Sequence, residues 1–152
     1  MEKTLIIIKP CAIRRDLIGE IIHRFERKGL QLSGLKMMQL DDAILHAHYA
    51  HHAEKPFFAR LKEFMMSTPV IAMVWEGTQA VTVVRSLVGP TKGFEAAPGT
   101  IRGDFSIEPG RNMIHASDAS ETEVAEITRF FQPEELFTYT KTSTQHVVEA
   151  GR

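Results

Sequence analysis

The stretch TLIIIKP (residues 4–10) decides the fold, because it predicts the strand on which the rest of the chain is built. Its apolar residues are largely β-branched and follow one another without the alternation of a half-exposed strand. Such a continuous run is typical of a central strand that is covered on both faces. Pro10 has no backbone N–H to give to a sheet, so it ends the strand. The segment therefore predicts a buried strand near the start of the chain.

Helical and extended patterns alternate along the chain after this strand. Leu17, Ile21, Ile22 and Phe25 recur at helical spacing, and Gly29 is a suitable C-terminal stop. Two further apolar segments predict strands, at QLSGLKMMQL (31–40) and PVIAMVWEG (69–77). Helical patterns occupy AILHAHYAHHAE (43–54), FFARLKEFMMS (57–67), TQAVTVVRSLVG (78–89) and ASETEVAEITRFF (119–131).

Local signals mark several boundaries of these elements. Asp41 or Asp42 is expected to cap the helix that follows, and Ser120 with Glu123 has the spacing of a capping box. PEEL (133–136) predicts a short helical turn, and a last short strand is expected near 113–115. The polar tail, residues 140–152, is expected to be peripheral within a single domain of residues 1–152.

The order of elements predicts an α+β fold. Helices between the strands indicate a ferredoxin-like βαββαβ unit, a four-stranded antiparallel sheet with helices packed on one face. Added helices and a long loop complete the chain. That loop, residues 89–112, contains five glycines and three prolines. A loop of this length in a compact domain is usually functional or disordered. Because it also carries Arg102, Phe105 and Ile107, we expect an ordered loop.

Composition excludes several classes of function. The formal net charge of the 152 residues is -1, so no strong overall field attracts nucleic acid or a membrane. No apolar run approaches the roughly 18–20 residues of a membrane span, and the first residues lack the pattern of a signal peptide. The single cysteine, Cys11, excludes an internal disulfide and fits a reducing compartment. A cytoplasmic protein is therefore expected.

Cationic residues at the ends of predicted elements indicate an anion site. Lys9 ends the first strand, Arg85 lies on the helix before the long loop, and Thr91 and Arg102 lie within it. Each residue alone is most often a solvated surface residue. Two arginines and a lysine that converge can hold a di- or triphosphate through charge-assisted hydrogen bonds. Glycine-rich phosphate signatures are absent, so side chains must form such a site.

The seven histidines differ in what surrounds them. His48 and His52 are four residues apart, as zinc ligands on a helix often are, but no nearby acid or cysteine completes a convincing set. His115 ends the last predicted strand within GRNMIHASD (110–118), next to small residues that allow a ligand to approach. From these residues alone, His115 is either a hydrogen-bonded core histidine or a nucleophile. Glu126 on the following helix is a candidate to hold its second ring nitrogen.

Seven motifs in order resolve much of this ambiguity. Over residues 3–140 the chain resembles the nucleoside diphosphate kinase family. The motifs that carry the resemblance are IIIKP (6–10), GEIIHRFERKG (19–29), HYAHHAEKPFF (48–58), VIAMVWEG (70–77), PGTIRGDF (98–105), GRNMIHASD (110–118) and PEEL (133–136). One such motif would be weak evidence, but seven in register are specific.

The resemblance implies a role for each site residue. His115 would accept the γ-phosphate of a nucleoside triphosphate and pass it to a diphosphate, with Glu126 orienting the imidazole and Ser117 beside it. Tyr49 and His48 match residues beside the nucleophile and the phosphates. The implied nucleotide contacts are phosphate binding by Lys9, Arg85, Thr91 and Arg102, sugar binding by Asn112 and Lys9, and base stacking by Phe57. Phe57 and Tyr49 could also be purely structural.

The same resemblance implies the cofactor and the assembly. Mg²⁺ is expected on the nucleotide phosphates and not in a protein cage, and a homo-oligomer is expected, a hexamer more than a tetramer.

The chain departs from the usual family pattern at Cys11-Ala12, Lys55, Pro90, Pro109 and Ala116. A non-catalytic nucleotide-binding module would be expected to lack His115, Lys9 or an arginine, and all are present. Nucleic-acid binding has little support because the basic residues are few.

Overall fold

The protein forms one four-stranded sheet and seven α-helices among the residues that can be described. The computed structural model describes residues 1–118 and 120–150, except for the side chains of residues 120–123. The elements in chain order are β1 (Glu2–Ile8), α1 (Pro10–Arg14), α2 (Ile18–Lys28), β2 (Gln31–Met38), α3 (Asp42–His48), α4 (Phe58–Met66), β3 (Val70–Gly77), α5 (Ala80–Val88), α6 (Ile101–Phe105), β4 (Ile114–Ala116) and α7 (Ser120–Phe130).

The sheet has the predicted antiparallel topology. Its strand order is β2-β3-β1-β4, so β1 lies inside the sheet between β3 and β4. Every pairing is antiparallel, with Ile7 opposite Ala72 on one side and opposite His115 on the other. The predicted α+β class and four-stranded antiparallel sheet are confirmed.

Helices cover both faces of the sheet. On one face, Ile6 and Ile8 of β1 pack with Phe25 of α2 and Val84 of α5, which are the helices of the βαββαβ unit. On the other face, Leu5 and Ile7 pack with residues of α3, α4 and α7. The added helices therefore lie over the face that the βαββαβ unit alone would leave open. This is why β1 carries no polar alternation: all of its residues from Thr4 to Ile8 are fully buried.

Most local boundary signals act as predicted. Gly29 ends α2 with a φ of 105°, a left-handed conformation that favours glycine. Asp41 caps α3, because its Oδ1 accepts a hydrogen bond of 2.8 Å from the backbone N–H of Ile44. PEEL forms a short 3₁₀ helix over Pro133–Glu135. The proposed capping box of Ser120 and Glu123 lies outside the described side chains. Pro10 ends β1 as predicted and also begins α1.

A bulge changes the outward face of β2. The pairing of β2 with β3 shifts register between Leu32 and Gly34. The bulge places Leu32 and Leu35 on the same face of the sheet, because their partners on β3 are two residues apart. The side chains of Leu35 and Met37 are exposed. Since Leu32 and Leu35 are three residues apart, a regular strand could not have placed them on one face.

The long loop is ordered, as expected. It contains a 3₁₀ helix at Gly93–Glu95 and helix α6, which Thr100 caps by accepting from the N–H of Gly103 at 2.9 Å. A Cβ at Gly103 would lie 1.9 Å from the carbonyl oxygen of Ala97, so only glycine allows this close backbone contact. Among the described residues, none of the helices has the length and hydrophobicity that a membrane span requires.

Candidate active site

Strand pairing decides where His115 points. It lies in the middle of β4 and is directly opposite Ile7 of β1. Residues opposite each other in an antiparallel pair share a face, so His115 lies on the face of the sheet that α3, α4 and α7 cover. Its neighbours Ile114 and Ala116 point into the core on the opposite face. The half-buried imidazole is thus placed beneath the added helices.

Glu126 of α7 holds one nitrogen of His115. The Nε2 of His115 lies 3.5 Å from Oε2 of Glu126, and the hydroxyl of the fully buried Ser117 donates to the same oxygen. Partial burial opposes ionisation of Glu126, but the hydrogen bonds from His115 and Ser117 outweigh it and lower the pKa of the carboxyl to about 2. The carboxylate is therefore ionised at neutral pH and favours the proton of His115 on Nε2.

The second ring nitrogen of His115, Nδ1, is available to react with a substrate. Burial lowers the pKa of His115, and this effect outweighs the opposing influence of Glu126. The imidazole is therefore neutral at pH 7 and carries its single proton on Nε2. Among the described residues, no hydrogen bond uses its Nδ1. A neutral imidazole with a free lone pair, held by a carboxylate on the other side, has the arrangement of a nucleophile.

Lys9 and Asn112 form a buried pair beside His115. The Nζ of Lys9 donates to Oδ1 of Asn112 at 2.7 Å, and Nδ2 of Asn112 donates to the carbonyl oxygen of Thr91 at 3.1 Å. Burial, followed by the charge of Arg102, lowers the pKa of Lys9 to about 8. Lys9 still carries its charge at pH 7, and among the described residues two of its three N–H donors have no partner and can bind a ligand.

Arg102 ties the long loop to β4. Its guanidinium donates to the carbonyl oxygens of Asn112, Gly89 and Ile114 at 3.2, 3.0 and 2.7 Å. Burial, followed by the charge of Arg85, lowers the pKa of Arg102 to about 10, so it is still cationic at pH 7. Within the described part of the chain three of its five N–H donors are used, so two can bind an anion.

A cleft of about 710 Å³ brings these residues together. Arg85 of α5 approaches the carbonyl oxygen of Ala116 at 3.5 Å and lines one wall. Four cationic side chains and two carboxylates line the cleft, whereas the whole chain has a net charge of -1. The residues predicted from the sequence that line it are Lys9, His48, Tyr49, Arg85, Thr91, Arg102, Asn112, His115 and Glu126.

His48 and Tyr49 serve the core as well as the cleft. The His48 ring packs edge to face against His115, with centroids 4.5 Å apart and an angle of 79° between the rings. Tyr49 is buried beside it in the hydrophobic core, and burial raises the pKa of its hydroxyl to about 12. Tyr49 is therefore a core residue, and it also lines the cleft.

Phe57 lies outside this cleft. Its ring is 47% exposed, so it is not a core residue, and it lines a separate groove of about 610 Å³ with Leu61 and Arg111. His52 connects the two regions, because its ring centroid lies 5.1 Å from that of Phe57 and its side chain lines the cleft. An exposed aromatic at the end of a cationic cleft is suited to stack on a base.

Of the histidine pair considered for zinc, only His48 belongs to a group of potential metal ligands among the described residues. Within the described part of the chain, the group of potential metal ligands consists of His48, His115 and Glu126, with one donor atom from each within 4.8 Å of the others. His52 is not part of it. Two nitrogens and one carboxylate oxygen among several cations are a poor set for Mg²⁺, which prefers oxygen ligands.

Sequence reasoning missed Arg129. It lies three residues after Glu126 on α7 and lines the same cleft, where its NH1 is 3.1 Å from Nδ1 of His48. The spacing of three residues was a signal for this placement, because residues three apart share a helix face. His51 and His52 also line the cleft.

The fold and this cleft define a class of protein. A four-stranded α+β domain presents a neutral, carboxylate-held histidine at the bottom of a cleft that is lined by arginines and a lysine. These are the parts that phosphoryl transfer requires, namely a nucleophile and groups that neutralise the charge of the phosphates.

Comparison with known proteins identifies the family within this class. The family model of nucleoside diphosphate kinase matches residues 2–136. A nucleoside diphosphate kinase from Parabacteroides distasonis is 57% identical over 139 residues, which cover 91% of each chain, and one from Bacillus cereus is 51% identical over 141 residues. The halophilic nucleoside diphosphate kinase of Halobacterium salinarum, solved in complex with CDP, superposes with a TM-score of 0.94 at 45% identity, covering 97% of this chain and 99% of that one. The chain belongs to the nucleoside diphosphate kinase family.

Proposed function

We propose that the protein transfers the γ-phosphate of a nucleoside triphosphate, typically ATP, to a nucleoside diphosphate through a phosphohistidine at His115. The reaction is of the ping-pong type and maintains the pools of ribo- and deoxyribonucleoside triphosphates. The observation that carries this proposal is the geometry around His115, whose Nε2 faces the ionised Glu126 while Nδ1 has no partner among the described residues.

The first half-reaction begins at Nδ1. Its lone pair attacks the γ-phosphorus, and the bond from phosphorus to the β-phosphate oxygen breaks, so the diphosphate leaves. The imidazole then carries both the phosphoryl group and the Nε2 proton, and it is positively charged. Glu126 stabilises this charge, and Ser117 holds the carboxylate in place. In the second half-reaction an oxygen of the acceptor diphosphate attacks phosphorus and the P–N bond breaks.

The cations of the cleft hold the phosphates. Lys9 and Arg102 each have two donors without a partner in the part of the chain that the structure describes, and Arg85 and Thr91 line the adjoining wall. Because Lys9 and Arg102 are already fixed by bonds to the protein, little reorganisation is needed when charge moves between the β- and γ-phosphates. We assign the sugar hydroxyls to Asn112 and Lys9. We assign the base to Phe57, where stacking tolerates every base.

Mg²⁺ fits this cleft only as a companion of the nucleotide. The potential ligand group of His48, His115 and Glu126 offers mainly nitrogen, and Glu126 is already bonded to Ser117. When bound to the phosphates, the ion would neutralise part of their charge, while Arg85, Thr91 and Arg102 hold the phosphates themselves. We expect a cytoplasmic homo-oligomer, a hexamer more than a tetramer, and light scattering on the purified protein would measure the subunit count.

Labelling tests the proposal. With Mg²⁺ and γ-labelled ATP, the wild-type protein is expected to become labelled in a form that acid removes and base does not. Unlabelled GDP should then discharge the label as GTP. His115→Asn should take up no label, whereas His23→Asn, at an exposed histidine of α2, should be labelled as the wild type is. A wild type that binds ATP without becoming labelled would show a nucleotide-binding module and overturn the proposal.

A further inference from the structure

Arg129 has no part in the mechanism above, yet it lies in the same cleft. It is on α7, within hydrogen-bonding distance of His48 on α3, with 3.1 Å between its NH1 and Nδ1 of that ring. The His48 ring in turn packs against His115. The contact therefore places the charge of Arg129 beside His48, which packs against His115. The geometry of the contact decides which nitrogen of His48 carries a proton.

The direction of this bond follows from the chemistry of the guanidinium. An arginine side chain can only donate, so Nδ1 of His48 is the acceptor and has no proton. Burial, followed by the charge of His115, lowers the pKa of His48 to about 3, which leaves the ring neutral at pH 7. Its one proton is then on Nε2. That atom is buried and has no hydrogen-bond partner among the described residues.

With the opposite tautomer of His48, the site could bind a metal ion. One nitrogen of His48, one of His115 and one oxygen of Glu126 lie within 4.8 Å of one another, and such a set can bind Zn²⁺ with water in the fourth position. A ligating nitrogen needs a free lone pair. With Arg129 in place His48 has none, because the lone pair of Nδ1 accepts from Arg129 and Nε2 carries the proton.

We propose that Arg129 is a positioning residue that holds His48 as the Nε2–H tautomer, so that His48 withholds a metal ligand from the group it forms with His115 and Glu126 and keeps a buried N–H donor unpaired among the described residues. The donor has a use that rests on the function proposed above. A phosphoryl group on His115 brings oxygens to the neighbourhood of an N–H that has no acceptor in the resting enzyme. A buried donor without a partner is costly, so this acceptor favours the phosphorylated state.

The tautomer is measurable by NMR. In protein labelled with ¹⁵N-histidine, spectra that correlate ring nitrogens with ring protons distinguish a protonated from an unprotonated nitrogen, and His48→Gln assigns the signals. Wild type is expected to show His48 with Nδ1 unprotonated and Nε2 protonated at pH 7.5. Arg129→Leu should show exchange between both tautomers, and Arg129→Lys, which keeps a donor, should restore the wild-type pattern at least in part. A wild-type His48 with its proton on Nδ1 would overturn the proposal.

Zinc affinity gives a second and independent readout. Calorimetric titration of the folded enzyme with Zn²⁺ alone is expected to show at least about tenfold tighter binding by Arg129→Leu than by wild type, because the substitution frees a nitrogen ligand. Adding His48→Gln to Arg129→Leu should abolish the gain. Arg27→Leu, at an exposed arginine of α2, serves as the matched control and should bind as the wild type does. Equal affinity of Arg129→Leu and wild type would contradict the proposal.

Neither readout requires phosphoryl transfer, so the two proposals fail separately. A wild type that is not labelled by ATP would overturn the proposed function while the tautomer of His48 is still decided by its spectrum. In protein that is labelled, the Nε2 proton of His48 is expected to shift downfield on phosphorylation of His115. An unchanged proton shift would overturn the role of His48 as a donor to the phosphoryl group.

Discussion

The two faces of the sheet are built from the same strands but have different roles. One face packs Ile6, Ile8 and Trp75 against α2 and α5 in a hydrophobic cluster. The other face packs Leu5 and Ile7 against α3, α4 and α7, but at β4 it places an imidazole where the first face has Ile114 and Ala116. Alternation along a single short strand therefore separates a structural core from a reactive cleft.

This difference has an energetic consequence. On the apolar face, stability depends on volume and contact, so the loss of a large side chain is expected to be costly and chemically silent. On the reactive face, His48, Glu126 and Ser117 depend on one another for hydrogen bonds and charge, so an isosteric change is expected to affect the chemistry more than the fold.

The largest effect is expected at Trp75. It is fully buried on the apolar face, and its ring centroid lies 5.5 Å from that of Phe25. Trp75→Ala should lower the free energy of unfolding by about 3–5 kcal/mol, because it leaves a cavity. Urea denaturation at a fixed protein concentration measures the change. The fraction that stays folded should still be labelled at His115, and a loss of label per folded molecule would show that the two faces are not independent.

Glu126→Gln should show the reverse pattern. The substitution keeps the shape of the side chain but removes the charge that stabilises a phosphorylated imidazolium. We expect kcat to fall about 10²-fold, which corresponds to about 2.7 kcal/mol, with a much smaller change in thermal stability. Steady-state kinetics and a melting curve on the same preparation check this. A variant with normal kcat and a large loss of stability would mean that Glu126 is structural.

Acid is expected to destabilise the reactive face selectively, and by less than Trp75→Ala destabilises the protein. In the unfolded chain His48 binds a proton near pH 6.5, whereas in the folded protein it does so only near pH 3. The unfolded state therefore binds more protons as the pH falls below 6.5, and the free energy of unfolding decreases towards low pH. Between pH 7.5 and 5.0 the loss should be about 1–2 kcal/mol for this group.

His48→Gln tests the origin of this loss, because it removes the titrating ring. Urea denaturation at the two pH values should show a smaller difference for the variant than for wild type. Hydrogen exchange at pH 5.0 should show lost protection in α3 and α7 before α2 and α5. Equal loss of protection on both faces would contradict the assignment of the acid sensitivity to the reactive face.

The sequence alone determined the features that depend on neighbours along the chain. Periodicity, capping and turn chemistry act over a few residues, which is why α2, α4 and α5, the Gly29 stop and the Asp41 cap were predictable. The helix predicted over residues 43–54 ends at His48, and α1 and α6 were not predicted. The motif GRNMIHASD predicted His115 on the last strand, and the family resemblance assigned roles to Asn112 and to the distant site residues. The strand over residues 31–40 was also predicted, but the bulge between Leu32 and Gly34 within it was not.

Only the tertiary structure decided how distant side chains use their hydrogen bonds. From the sequence, Arg102 was expected to bind phosphate. In the structure its three hydrogen bonds to carbonyl oxygens also hold the long loop against β4. Arg129 and His48 are 81 residues apart and meet because α3 and α7 cover the same face of the sheet. Periodicity can predict which face of a helix is buried, but the partner that a buried polar atom finds depends on how the elements pack in three dimensions.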